Sequence, residues 1–306
     1  MSIAALNRRT FLQTTAAVAA SAFLTRGSSW AAEEHKVSNI GLQLYTVRER
    51  MKTDFDGTLS KVAEVGYKNV ELAEFSLDAR GVRYFDRTPE EMRKALDHYG
   101  LIAIGTHVSY ASLMPENFPK VLGASKVLGH QYIVNPWVDE EFRNQPDSWN
   151  HVVETFNRAG EASKNAGFQF AYHNHWFEFL PVNGKLPYDI LLEGCDPKLV
   201  KMEMDLCWIT AAGADPVKYF NRYPGRFPLV HVKDLKKIPP ITSGGAQNFG
   251  DTVDLTEVGS GIIDWKRIFS HSEKAGIKYY IVEHDHPQEP LKSIAVSYTY
   301  LKNLRW

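Results

Sequence analysis

Cysteine is nearly absent from this chain. Its 306 residues hold two, Cys195 and Cys207, too few for a fold held together by a disulfide framework. An excess of charge of one sign is also missing, with 35 Lys and Arg against 36 Asp and Glu and a net −1. No apolar run reaches the roughly 20 residues of a membrane-spanning helix. Neither a Gly-rich phosphate loop nor a Walker pattern occurs, which removes the usual nucleotide-binding signatures. Low-complexity segments and linkers that would divide the chain are absent as well. What remains is 44% hydrophobic and 23% charged, an ordinary globular composition. The length allows two domains, but α/β barrels run to about 250 residues as one.

The near-neutral total conceals two unlike segments. Residues 1–31 contain Arg8, Arg9 and Arg26 and no acid, a charge of +3, which leaves the remainder with 32 basic and 36 acidic residues, or −4. An acidic remainder argues against a nucleic-acid partner, because neutralising phosphates needs a net basic surface. Asn7-Arg8-Arg9-Thr10-Phe11-Leu12-Gln13 precedes an Ala-rich stretch from Ala16 to Leu24, and Ser29-Trp30-Ala31 offers small residues at −3 and −1 of a cleavage site. This order resembles a twin-arginine export signal. Cleavage after Ala31 leaves 275 residues in the periplasm or secreted, with no membrane anchor. Export raises the question of a Cys195–Cys207 bridge, but Cys207 follows an expected buried strand, which speaks against one.

From residue 39 onward, short β-rich runs alternate with helical patterns, the order of a parallel sheet with helices packed outside it. Strands are expected near 39–44, 68–72, 101–106, 131–135, 168–173, 200–205, 229–232 and 279–283. Helical spacing or helix starts mark Phe55–Val65, Pro89–Tyr99, Pro115–Leu128, Asp147–Asn165, Tyr188–Glu193, Pro216–Tyr223, Asp264–Ala275 and Gln288–Leu304. Pro89, Pro115 and Pro216 stand where a first helical turn tolerates proline. Eight such units predict a closed (β/α)₈ TIM barrel, a single domain over residues 38–304. The one long connection, Lys233 to Ile263, follows strand seven and reads as a lid or binding loop.

A barrel of this kind builds its active site from the carboxyl ends of its strands. Those ends carry Gln43 and Tyr45, Glu71 and Glu74, His107, Asn135 and Trp137, His173, His175 and Glu178, Asp205, His231 and Lys233, and Glu283, His284 and His286. His173, Asp205, His231 and Glu283 are spaced by 32, 26 and 52 residues, close to one barrel unit each when the long loop is allowed for. Imidazoles and carboxylates converging from strands five to eight suit one divalent ion such as Mn²⁺, Co²⁺, Zn²⁺ or Mg²⁺. Each remaining residue has a functional and a structural reading. Glu71 and His107 either contact substrate or are satisfied inside the barrel, and Trp137, Trp176, Phe177 and Trp208 either stack on a sugar face or pack the core. His284 and His286 are a supporting or solvated pair, and Lys236-Lys237 a solvated loop.

Lys201-Met202-Glu203-Met204-Asp205, Leu229-Val230-His231-Val232-Lys233-Asp234, Val258-Gly259-Ser260-Gly261-Ile262-Ile263-Asp264-Trp265 and Tyr280-Ile281-Val282-Glu283 together resemble the sugar phosphate isomerase/epimerase group of the xylose-isomerase-like TIM barrels. In that superfamily Glu, Asp, His and Glu from strands five to eight commonly hold a single divalent ion. The resemblance carries those roles to Asp205, His231 and Glu283. Strand five departs from it: many relatives have Glu-x-His where this chain has His173-Asn174-His175, so His173 takes the ligand position, with Glu178 as its competitor. The resemblance further implies a small carbohydrate substrate, and it leaves a homo-oligomer open because such barrels are often dimers or tetramers.

Ketose epimerases of that superfamily use two ligand glutamates as base and acid beside a metal-polarised carbonyl. Here Glu283 alone keeps that position. The expectation is a sugar or keto-sugar isomerase or epimerase with Glu283 as base and His175 or Lys233 as acid or oxyanion stabiliser, and with Glu71, His107, Trp137 and Trp176 contacting substrate. The one-sided base also suits a lyase or hydratase acting on 3-keto-glycosides or inosose-like polyols. An exported protein meets few phosphorylated sugars, which favours a neutral substrate. A non-catalytic sugar-binding barrel and an abasic-site endonuclease are the rival classes, and the acidic mature chain argues against the second.

Overall fold

The computed structural model describes residues 34–144, 147–239 and 249–306. The expected export segment, residues 1–31, lies outside them. Lys36–Trp306 is one compact unit, in which eight parallel strands close into a barrel: β1 (Ile40–Gln43), β2 (Asn69–Leu72), β3 (Ile102–His107), β4 (Tyr132–Asn135), β5 (Gln169–His173), β6 (Val200–Asp205), β7 (Leu229–Val232) and β8 (Tyr279–Val282). The first and last strands seal it in register, Ile40 opposite Tyr280 and Leu42 opposite Val282. Every expected strand is present to within about a residue, because buried parallel strands read as short β-branched and aromatic runs.

Side chains alternate between the barrel interior and the helix layer. Outward-facing residues such as Val70, Ile133, Phe170, Tyr172, Met202 and Val230 join the large core beneath the helices. Inward-facing Ile104, Tyr132, Val134, Ala171, Leu229 and Ile281 form a separate apolar plug. Polar inward residues are stacked above that plug, which sets the floor of the site.

The helices follow sequence chemistry. Thr88 caps Pro89–His98 with a full capping box to Glu91 and with proline in the first turn. Gly160, inside Ser148–Ala166, lies so close to Leu199 that an added Cβ would come within 2.7 Å of its carbonyl oxygen, so only glycine lets the helix seat there.

Some expectations are corrected. Pro115 precedes its helix, which runs Phe118–Leu128 with Pro119 in the first turn. The helix expected over Asp264–Ala275 is two short ones, Trp265–Phe269 and Ser272–Ala275. A hairpin, Phe75–Asp78 paired with Gly81–Tyr84, follows β2, and its base is set by left-handed Glu74, Phe85 and Asp86. The long connection after β7 is closed at its neck, where Asp234 and Leu235 pair with Thr256 and Leu255. Cys195 and Cys207 are buried free thiols. No helix among the described residues is long and apolar enough to cross a membrane.

Candidate active site

Strand register brings the polar residues together. His173 stands opposite Glu203, and Asp205 opposite His231. Asn174 ties the ends of β5 and β6, since its Oδ1 accepts the Asp205 N–H at 3.2 Å. Asp205 also caps helix Leu206–Ala211, its Oδ1 accepting from the N–H groups of Cys207 (2.9 Å) and Trp208 (2.7 Å). The cap turns the other oxygen, Oδ2, inward. That oxygen is buried and accepts no hydrogen bond, although Lys233 Nζ lies 3.2 Å away as an ion pair and His173 Nε2 lies at 3.9 Å.

Asp205, His231 and Glu283 each point one donor atom to a common place, all within 4.8 Å of one another. His231 Nδ1 is 2.8 Å from Glu283 Oε2. Lys233, two residues along on the same face, places its ammonium 2.6 Å from Glu283 Oε2 and 3.0 Å from Asp285 Oδ1. Two carboxylates and an imidazole are a donor set that fits a divalent ion. His173, the expected strand-five ligand, groups instead with His107, Glu203 and His231 and meets this set only at 3.9 Å from Asp205 Oδ2.

A second tier lies beneath. Glu71 Oε2 accepts from Gln43 Nε2 at 2.8 Å and meets His231 Nε2 at 2.8 Å and His107 Nε2 at 3.1 Å. Glu203 Oε2 meets His107 Nε2 at 2.9 Å and His173 Nδ1 at 3.2 Å. His231 and His173 therefore each turn one ring nitrogen up to the first set and the other down to a supporting carboxylate, the contact that fixes a ligand imidazole's orientation.

Burial opposes every charge in this space, so the partners decide the outcome. Burial lowers His107, but Glu71 and Glu203 overcome it and raise the imidazole to about 9. Burial and the neighbouring Glu71 raise Glu203 to about 7. Glu71, despite burial, is held well below the usual carboxylate range by His107 and His231, and Glu283 likewise by Lys233 and His231. The carboxylates Asp205, Asp285 and Glu283 hold Lys233 above its ordinary value against burial. His175 goes the other way: burial and Lys233 push it well below 6.5, leaving it neutral.

Above the two tiers opens a cavity of about 1120 Å³ whose wall includes His107, Trp137, His173, His175, Trp176, Trp208, Lys233, Glu283 and Asp285. His175 is boxed by aromatics, edge-on to Trp137 at 4.9 Å and stacked between Phe177 at 6.0 Å and Trp208 at 5.8 Å, and its Nδ1 is buried without a partner.

The expected residues are thus distributed unequally. His107, Trp137, His173, His175, Trp176, Lys233 and Glu283 reach the cavity, while Asp205 and His231 are buried beneath it. Glu71 does not reach it. It is fully buried under His107 and His231, so the expected substrate contact is corrected to a supporting role. Glu178 turns to the helix layer, where it accepts from the Tyr172 hydroxyl and from the His175 N–H at 2.9 Å, and so does not compete with His173 for an ion. Glu203 and Asp285 had not been singled out. Each stands two residues from an expected ligand, Asp205 or Glu283. Glu203 shares the strand face of Asp205, where period-two spacing was the signal, whereas Asp285 lies in the loop past β8.

Comparison with known proteins agrees with this architecture. A family model described as xylose isomerase-like TIM barrel matches residues 59–304. An inosose dehydratase of Lacticaseibacillus casei is 26% identical over 273 residues, covering 80% of this chain and 86% of the relative. A sugar phosphate isomerase/epimerase structure from Parabacteroides distasonis ATCC 8503 superposes with a TM-score of 0.71 at 26% identity, covering 90% of this chain and 95% of that one. A solved IOLI protein with a bound zinc atom, 14% identical with a TM-score of 0.60 over 86% of this chain and 97% of its own, shares the fold.

Proposed function

The chain belongs to the xylose isomerase-like TIM barrel family, and from that premise we propose that it is a divalent-metal-dependent lyase that removes water from a non-phosphorylated keto-sugar or inosose-like polyol. One observation carries this reading. Within the donor set Glu283 is the one carboxylate in the cavity wall, Asp205 being buried beneath it, and the His231 imidazole stands 2.8 Å from it. Epimerisation by paired glutamates lacks its second member, whereas one-sided proton removal has all its parts. Similarity to inosose dehydratases supports the same choice.

Asp205, His231, Glu283 and His173 would hold the ion. Once bound there, a divalent ion polarises a substrate carbonyl and acidifies the carbon beside it. Glu283, kept ionised by Lys233 and His231, receives the proton from that carbon. The Lys233 ammonium stabilises the oxygen on which charge develops. His107, protonated and in the cavity wall, gives its proton to the hydroxyl on the next carbon. The C–O bond breaks, and the hydroxyl leaves as water. His175 offers its unpartnered Nδ1 to a substrate hydroxyl, while Trp137 and Trp176 pack against the ring's C–H faces. Among the cavity's basic side chains, Lys233 is engaged by three carboxylates, Lys52 by Glu49, and Arg87 lies over Phe55, an arrangement suited to an uncharged substrate.

The test is to follow metal-loaded protein on inososes and keto-sugars in D₂O. An unsaturated ketone, lighter than the substrate by one water, is the expected product. Folded, metal-replete protein inactive on every such substrate, or turnover indifferent to chelator, would sink the reading. Deuterium incorporation without loss of water would instead favour an isomerase or epimerase, the reading that the Parabacteroides relative supports. We also infer export by the twin-arginine route. Arg8→Lys with Arg9→Lys should leave the protein in the cytoplasm on fractionation, and unchanged export would refute that address.

A further inference from the structure

The lower tier is a donor set in its own right. His107, His173, Glu203 and His231 each offer one donor atom, and these atoms all lie within 4.8 Å of one another. Glu203 Oε2 is 2.9 Å from His107, 3.2 Å from His173 and 3.3 Å from His231. Glu71 Oε2 is drawn to the same place, 2.8 Å from His231 and 3.1 Å from His107. Two carboxylate oxygens from different strands thus crowd toward the same imidazoles in the barrel interior. Their other oxygens, Glu71 Oε1 and Glu203 Oε1, are buried and accept nothing. Three imidazoles and two carboxylate oxygens thus converge on one place, a donor set whose charges and lone pairs a bound cation would satisfy.

We propose that this tier is a second metal site, selective for an imidazole-preferring ion such as Zn²⁺, and that its occupancy excludes an ion in the upper set. Three nitrogens and one oxygen suit zinc, whereas the carboxylate-rich upper set of Asp205 and Glu283 suits a harder ion such as Mn²⁺ or Mg²⁺. Exclusion follows from the shared rings. His231 turns Nδ1 to the upper set and Nε2 to the lower, and His173 likewise turns Nε2 up and Nδ1 down. A neutral imidazole has one lone pair, so each ring serves one tier at a time. Binding below releases the N–H protons that these rings now direct at Glu71 and Glu203. Access exists, since His107 and His173 line the cavity. The exclusion half rests on the proposed upper site, whereas the zinc half does not.

Metal analysis after equilibrium dialysis tests both. The double variant Asp205→Asn, Glu283→Gln should bind one equivalent of Zn²⁺ and no Mn²⁺, and adding His107→Gln should raise the zinc Kd at least about 10-fold. A folded double variant that binds no zinc overturns the proposal. If that variant does not fold, zinc-edge X-ray absorption on the wild-type protein decides, with three imidazoles expected and two or fewer overturning it. One equivalent of Zn²⁺ should expel bound Mn²⁺ from the wild type, and simultaneous binding of both ions would overturn exclusion. Wild-type protein that never binds Mn²⁺ would defeat the reading of the upper site, while zinc retained by the double variant would still uphold the lower one.

Discussion

The two halves of the barrel do different work. Strands β5 to β8 and their ends present His173, Asp205, His231, Lys233 and Glu283, the groups that under the proposed function would hold an ion or move a proton. Strands β1 to β4 carry Gln43, Glu71 and Asn135, each already bonded inside the protein, while His107 and, just past the strand ends, Tyr45, Glu74 and Trp137 reach the cavity. Glu71 crosses the interior to His231, 160 residues away in sequence, so the reactive wall is held in position by the opposite one. Charge density in a buried site is tolerable when it is balanced from another part of the fold, and here the balance comes from across the barrel.

The sharpest way to break this contrast is to disarm the reactive wall. Asp205→Ala or Glu283→Gln should lower kcat/KM by roughly 10⁴-fold, about 5 kcal/mol of barrier, with unchanged circular dichroism. Full activity in both would mean that the site is misassigned. His107 probes the seam between the halves. It holds its proton up to about 9 when folded against an ordinary 6.5, so the folded state binds that proton more tightly than the unfolded one. Its stabilisation is whole below about pH 6.5 and is lost as pH rises through about 9, a few kcal/mol at most. Urea titrations across that interval should show stability falling with pH, and the fall should be smaller in His107→Gln.

A change in the supporting wall should cost less than one in the reactive wall. Glu71→Gln keeps the shape and removes the charge, and it should weaken metal binding or turnover about 10- to 100-fold, measured by dialysis and by kinetics. A loss as large as that of Asp205→Ala would erase the distinction between the halves. The smallest effect belongs to the aromatic rim. Trp176→Ala should raise KM about 10-fold with kcat nearly unchanged. A fall in kcat with constant KM would place that ring in the chemistry.

The barrel was legible because buried parallel strands and capped helices carry local signals. The convergence of Asp205, His231 and Glu283 was legible because about one barrel unit, the long loop apart, separates each from the next, whereas the grouping of His173 with His107 and Glu203 was not. Less visible was height. Strand parity tells which face a side chain occupies, but whether it ends in the cavity or beneath it depends on strand tilt and stagger, which no short stretch encodes. Glu71 was therefore read one tier too high, and Glu203 and Asp285 were passed over beside their neighbours. Glu178 shows the converse: it follows His175 closely in sequence, yet it packs with outward-facing Tyr172 on the other side of the strand. The hairpin from Phe75 to Tyr84 left little trace, since its strands are only partly buried.

The neck of the connection after β7 carries a different implication. Asp234 and Leu235 pair with Thr256 and Leu255, and the Asp234 carboxylate gathers the N–H groups of Gly259 (3.0 Å) and Gly261 (3.2 Å) and the Trp265 indole (3.1 Å). Residues beyond the neck, including Gly250, Asp251 and Val253, form part of the cavity wall. A segment closed at its base can change length and content at little cost, since doubling a loop adds only about 0.6 kcal/mol. Variation there can retune which molecules the cavity admits while the eight-stranded scaffold stays fixed. The neck is accordingly the natural splice point for grafting a loop from a relative of different substrate preference.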